Sequence, residues 1–243
     1  MKSSVWPLAQ PLIAVMQPLP PVWPLSWSRK NTQPDAMTAP SLVIACGALA
    51  REIQQLKVLN DWQHLRIQCL DAELHNRPER IAGKLREKLE ELHAQYQNIF
   101  IAYADCGSGG DIDKVIAEFS SEAHPIERLP GAHCYAFFAG LEQFDELAEQ
   151  AIGSFYLTDF LAQHFQRLIV KGLKLDQHPE LLPMMFGHYT RVVYLSQTHN
   201  PTLLLAAQQA AEYLGLDFEH QHTGYGLLES GLQTQVINFQ SRG

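Results

Sequence analysis

Ile99-Phe-Ile-Ala-Tyr-Ala-Asp-Cys-Gly-Ser-Gly-Gly-Asp111 decides how this chain folds: a buried strand runs straight into a loop carrying a thiol, two carboxylates and three glycines. Ile99 to Tyr103 is almost continuously apolar, the pattern of a strand covered on both faces in a parallel sheet. Gly107, Gly109 and Gly110 open backbone conformations closed to other residues, and Asp111 is positioned to cap a helix from Ile112. A ligand bound there would meet Cys106, Ser108 and the loop amides at a helix amino terminus. The glycine spacing is neither the dinucleotide fingerprint nor the P-loop, which needs Lys and Ser or Thr after its last Gly. A plain tight turn is the alternative reading.

Upstream, Leu42 to Ala45 reads as a first strand ending at Cys46-Gly47, followed by an amphipathic helix from Ala48 to Asp61. Leu65 to Leu70 is a second strand, and Pro78 suits the first turn of the next helix, with Ile81, Leu85, Leu89 and Leu92 on one face. Three strand-helix units in succession predict right-handed crossovers and a parallel sheet. Downstream, the sequence predicts a short strand at 125–129, helices at 136–152 and 155–172, and a helical passage at 178–186. Strands at 191–196 and 218–221 flank an Ala-rich helix at 202–214, and Thr223-Gly-Tyr-Gly226 opens a last helix. The expected architecture is α/β: an open, mostly parallel, Rossmann-like sheet with helices on both faces and a helical segment at about 136–190. Residues 1–36 are crowded with Pro and Trp and are expected to be a disordered tail or an overrun ahead of a natural start at Met37; 37–243 form one domain.

The formal charge of -8 and the lack of any Lys/Arg block argue against nucleic acid or an anionic membrane as partner, leaving a small molecule or another protein. Prolines interrupt every apolar run of the first 36 residues, so a secretory signal is not expected, and no stretch is long enough to span a bilayer. Four cysteines in 243 residues do not make a disulfide framework. Reduced thiols and a cytoplasmic location are expected.

In an open parallel sheet, ligands bind beyond the carboxyl ends of the strands. Cys46, Cys69 and Cys106 fall at three such ends, His75 lies in the second loop, and His133-Cys134 follows the fourth strand. The expected site is therefore a metal centre with Cys46, Cys106, Cys134 and His75 as ligands, holding zinc or an iron-sulfur cluster. Two alternatives need no cofactor. The cysteines serve as small buried hydrophobes, or Cys106 or Cys134 is a lone nucleophile with His133 or His75 as base. Asp105 is expected to orient a ligand beside Cys106 and His133, and Gly107, Ser108, Gly109, Gly110 and Asn76 to hold its anionic end. Tyr225, with Thr223 and Gly224, would close the pocket. Asp159 and His164 read as helix packing, and His220 and His222 alternate along a strand, suiting either metal ligation or a solvated face.

The runs Ala45-Cys-Gly47, Leu74-His-Asn-Arg-Pro78, Asp105-Cys-Gly-Ser-Gly-Gly110, Gly131-Ala-His-Cys-Tyr135, Phe155-Tyr-Leu-Thr-Asp-Phe160 and Phe186-Gly-His-Tyr189 resemble the signature blocks of the domain of unknown function 1638 family. The resemblance covers nearly everything after Met37. It implies a place near corrinoid-dependent methyl transfer without assigning a reaction. The family pattern has an acidic residue soon after the His-Cys-Tyr block, where this chain has Ala136. The expected function is a metal- or thiol-dependent transferase or lyase acting on a small one-carbon or amine-derived substrate. The alternative is a non-catalytic accessory protein that binds a corrinoid protein or methyltransferase.

Overall fold

The computed structural model describes residues 41–150 and 152–242, so the expectations for residues 1–36 lie outside it. In chain order the elements are β1 (Ser41–Cys46), α1 (Ala50–Leu59), β2 (Leu65–Leu70), α2 (Ile81–Leu92), β3 (Asn98–Ala102), α3 (Asp111–Phe119) and β4 (Glu127–Arg128). Then come α4 (Ala136–Ala139), α5 (Leu141–Gln150), β5 (Ser154–Thr158), α6 (Asp159–Phe165), α7 (Leu181–Phe186), β6 (Arg191–Ser196), α8 (Pro201–Leu214), β7 (Asp217–His222) and α9 (Gly226–Arg242). All strand pairs are parallel, as expected for an α/β fold.

The strands form two sheets rather than the single one expected: four strands in the order β2-β1-β3-β4, and three in the order β5-β6-β7. β5 explains the difference. The sequence reading places Phe155 to Thr158 inside a long helix, because Phe160, His164, Leu168 and Lys171 recur at helical spacing. That spacing belongs only to α6 and the π turn Gln166–Lys171. Ser-Phe-Tyr-Leu-Thr has the aromatic and β-branched content of a strand, and Gly153 at φ +93° turns the chain into it. Thr158 then caps α6 by accepting from Leu161 N–H at 3.3 Å. The helix expected over 136–152 is likewise broken, at Gly140, into α4 and α5.

β1 and β3 are buried along their whole length, which is why they read as unbroken apolar runs. α2 packs with α3 and α1 with α9, so both faces of the first sheet are covered. Each fully buried Leu or Ile in this core contributes about 1.5–3 kcal/mol relative to exposure. α9 returns to the first sheet and seats Leu228, Leu232, Val236 and Phe239 in its core. The second sheet has its own core, in which Leu157, Val192 and Tyr194 meet Ala207, Ala211 and Leu214 of α8.

Candidate functional site

In the first sheet the strand order reverses between β1 and β3, and Cys46 and Cys106 stand at the carboxyl ends of these two strands. Gly47 is required beside Cys46. An added Cβ would lie 2.7 Å from Leu70 O and 2.9 Å from Ala72 N, so only glycine lets the end of β1 rest against the segment leading to His75. That segment is a short turn, Ala72–Asn76, opened by Asp71, whose carboxylate accepts from Glu73 N–H at 2.9 Å.

On the other side, Asp105 N–H donates to Gly131 O at 3.1 Å and Cys106 N–H to Ala132 O at 2.8 Å. These two bonds tie the thiol loop to the segment carrying Cys134. Cys106 itself adopts φ +50°, a left-handed conformation that costs a non-glycine residue about 1–2 kcal/mol. The strained backbone aims its sulfur at Cys134, with the two Sγ atoms 3.2 Å apart. Cys46 Sγ lies 3.9 Å from His75 Nδ1 and also contacts the Cys134 thiol. Three thiols and one imidazole from four separate strand ends thus share one buried spot.

The charge pattern is uneven. The Cys134 thiol, donating to Cys46, holds that sulfur well below the usual thiol range against the opposing pull of burial, and His75 helps. His75 is raised in turn, first by its bond to Cys46. Cys106 is also lowered, again chiefly by Cys134, whereas Cys134 is pushed well up by Cys106, by Cys46 and by burial. The cluster thus favours negative charge on Cys46 and Cys106, positive charge on His75 and a proton on Cys134. The Tyr103 hydroxyl is buried beside it and faces Cys46; burial, the Cys46 charge and the interaction with its sulfur keep the phenol proton on. Among the described residues, no group of three or more His, Cys, Asp or Glu is placed so that it could hold a metal ion.

Cys134 and His75 open onto a cavity of about 250 Å³. Its other walls come largely from the second half of the chain and are apolar and aromatic, with Phe155, Phe160, Phe186 and Tyr189 prominent. Phe155, Phe186 and Tyr189 pack on one another with ring centroids 5.3–5.8 Å apart. The sequence reading missed these rings as site residues, although they lie in two of the blocks that carry the family resemblance.

The remaining expected residues fall as follows. His133 is exposed, its ring 6.4 Å from those of Tyr135 and Phe144, so the imidazole in contact with the thiols is His75. Asp105 is occupied inside its own loop. It accepts from Ser108 Oγ at 2.8 Å, Gly109 N–H at 3.1 Å and Gly110 N–H at 2.7 Å; against a desolvation cost these bonds hold its carboxyl below the usual range. The amides of Gly109 and Gly110 therefore face a protein carboxylate, not an open anion cradle. Gly107 packs toward Pro78. Helix α3 is entered from Gly110 in a left-handed conformation, and Asp111 sits in its first turn paired with Lys114 at 2.7 Å, not as the cap. Asn76 lines the cavity while its Nδ2 donates to Leu168 O at 3.1 Å. Tyr225 donates to Gln55 Oε1 at 2.5 Å and is not among the cavity walls. Cys69 is exposed and apart from the other thiols.

Asp159, read as packing, is a buried hub. It accepts from Tyr194 Oη at 2.6 Å, Thr198 Oγ1 at 2.6 Å and the amides of Gln197 and Thr198 at 3.2 and 3.0 Å, joining the ends of β5 and β6. His220 and His222 both contact Ser196 Oγ, at 2.9 and 3.1 Å. No helix of the described residues is long and apolar enough to cross a membrane.

No curated protein matches the chain. Among solved structures it is similar to an ornithine carbamoyltransferase from Pyrococcus furiosus, at 16% identity and a TM-score of 0.25, over 76% of this chain and 55% of that one. The chain thus spans little more than half the length of that enzyme. Residues 69–232, which hold two of the three clustered thiols and His75, match the family model described as protein of unknown function (DUF1638), and the chain belongs to that family.

Proposed function

We propose that the chain is an enzyme whose Cys46, Cys106, Cys134 and His75 hold zinc or an iron-sulfur cluster and act on a small substrate in the adjoining cavity. The observation that carries this reading is the meeting of three thiols and an imidazole, from four loops far apart in sequence, at the carboxyl edge of one sheet. A tetrahedral zinc with bonds of about 2.3 Å to sulfur has sulfur-sulfur edges of about 3.8 Å. The Cys106–Cys134 separation of 3.2 Å is about 0.6 Å short of such an edge, and the 3.9 Å from Cys46 Sγ to His75 Nδ1 is about 0.4 Å longer than the corresponding sulfur-nitrogen edge, so metal binding would require the side chains to rearrange into a ligand set. Thiolate character at Cys46 and Cys106 suits the same role, because burying two such sulfurs calls for more positive charge than one imidazolium supplies.

A bound metal would supply Lewis acidity or a stabilised thiolate. The chain's own part is to desolvate the reacting group with its aromatic walls, while Cys46, Cys106 and Cys134 would give up their protons to serve as ligands. The metal-free nucleophile is less well served. The thiol that reaches the cavity, Cys134, is the one kept protonated, while the thiolate at Cys46 is fully buried behind it. The reaction class is a transferase or lyase, with a one-carbon or amine-derived reacting group as the family resemblance implies, in a cytoplasmic setting that keeps the thiols reduced.

Elemental analysis and an absorption spectrum of protein purified without oxygen test the proposal. Zinc or iron near one equivalent per chain, lost in Cys46→Ser, Cys106→Ser and Cys134→Ser, is expected. Protein that takes up neither metal overturns it, and a metal-free chain that co-purifies with a corrinoid protein or methyltransferase would mark an accessory role instead.

A further inference from the structure

On the far side of Asn76 from the thiol cavity lies a wider polar groove, which none of the chemistry above uses. No run of basic residues announces it in the sequence. The fold builds it from two segments. Arg77, Arg80, Lys84 and Lys88 recur at three- and four-residue steps along the start of α2 and the turn before it. Arg167 and Lys171 face them from the π turn.

Six cations thus line one groove of a chain whose net charge is -8, against four carboxylates. Lys84 and Lys88 are spent on Glu87 and Glu91, each at 2.6 Å. Arg77, Arg80, Arg167 and Lys171 form no ion pair among the described residues. Four uncommitted cations converging on one groove match a phosphate or pyrophosphate, whose oxygens take charge-assisted and bidentate bonds from guanidinium groups.

The groove and the thiol cavity share two wall residues, Asn76 and Leu168, joined by the hydrogen bond from Asn76 Nδ2 to Leu168 O. We infer that the groove binds the phosphate of a phosphorylated small molecule whose uncharged, ring-sized part enters the cavity past Asn76. The size fits. A cavity of about 150 Å³ accepts benzene, and this one is about 250 Å³ with aromatic walls. The inference adds an anionic anchor to the proposed substrate and does not need a metal.

Isothermal titration calorimetry on the full chain, at low and high salt, tests it with inorganic pyrophosphate, inorganic phosphate and 1-naphthyl phosphate. Pyrophosphate is expected to bind, more weakly at high salt, and to lose more than about tenfold in affinity in the double variant Arg80→Gln/Arg167→Gln. 1-Naphthyl phosphate is expected to bind at least about tenfold tighter than inorganic phosphate, through burial of its rings. Absent pyrophosphate binding, or binding unchanged in the double variant, overturns the groove. Equal affinity for naphthyl and inorganic phosphate overturns the shared ligand. Vesicles containing phosphatidic acid are expected not to bind, and vesicle binding without pyrophosphate binding would overturn a free small molecule as the ligand. Cys106→Ser, which removes a proposed metal ligand, is expected to keep pyrophosphate binding, so failure of the metal reading and failure of this one are separable.

Discussion

Replacing Glu52 with Gln should make the chain more resistant to unfolding at alkaline pH and much less so at acid pH. Glu52 lies on α1, only 2% exposed, and its Oε2 has no hydrogen-bond partner among the described residues. Burial raises its pKa from the usual 4.5 to about 7; Arg51 opposes the shift and the Asp159 charge adds to it. The folded chain therefore holds a proton that the unfolded chain releases near 4.5. By linkage, stability falls as pH rises from about 4.5 to about 7 and stays reduced above that. A shift of this size corresponds to about 3 kcal/mol. Gln has no charge to desolvate, so its effect measured at pH 8, minus its effect at pH 5 where the unfolded carboxyl is already largely ionised, should be stabilising by about 2.5 kcal/mol. Any cost of seating the amide appears at both pH values and cancels in the difference. Urea unfolding of the two proteins at each pH gives the quantity directly. An equal effect at the two pH values would show that Glu52 is not the buried, half-satisfied acid described above.

Asp159→Asn should lower stability by about 3 kcal/mol, because an amide NH₂ replaces an acceptor that faces four donors; a thermal midpoint unchanged from the parent would count against the hub. Gly47→Ala should cost about 1–3 kcal/mol, since its Cβ meets backbone atoms that cannot rotate away. The same variant should also take up less metal, as the His75 segment is displaced from Cys46, and undiminished uptake in a destabilised variant would refute that coupling.

The first half of the fold was legible because β1 and β3 are short apolar runs, β2 opens and closes on a buried Leu, and helices α1 and α2 carry apolar stripes. β2 and β6 fall where the sequence places them, and Asn200 with Pro201 marks the start of α8 to within a residue. β5 was not legible, since five residues between Gly153 and an immediate helix leave no room for an alternating pattern, and the sequence reading carries the helical period of Phe160, His164, Leu168 and Lys171 back over it to Phe155. At the site, topology did the predicting. Strand order alone assigns Cys46, Cys69, Cys106, Cys134, His75 and His133 to one edge; there Cys106 meets Cys134 and Cys46 meets His75, whereas Cys69 and His133 are exposed. The roles of His133 and the glycine loop depended on local geometry that spacing does not encode. Asp105 can turn back onto Gly109 and Gly110 only because the loop is tight, and that uses the amides a ligand would need. The basic groove was illegible for a related reason: its cations come from two segments some 80 residues apart, so neither registers as a block.

The division of labour between the halves bears on what the site can do. The first sheet supplies sulfur, imidazole and charge; the second supplies a wall of Phe155, Phe160, Phe186 and Tyr189 without a carboxylate among them. A thiolate facing water is screened, whereas the same group under an apolar wall acts on its neighbours at low effective dielectric and is worth correspondingly more. Burial removes the hydration that would otherwise stabilise Cys46 and Cys106 as anions, so their lowered pKa values come chiefly from Cys134, with His75 and, for Cys46, the Ala48 backbone helping. Anything that loosens the second half from the first should therefore leave the low thiol pKa values in place, because Cys134 and His75 belong to the first half and re-admitted water would only relieve the desolvation that opposes the thiolates.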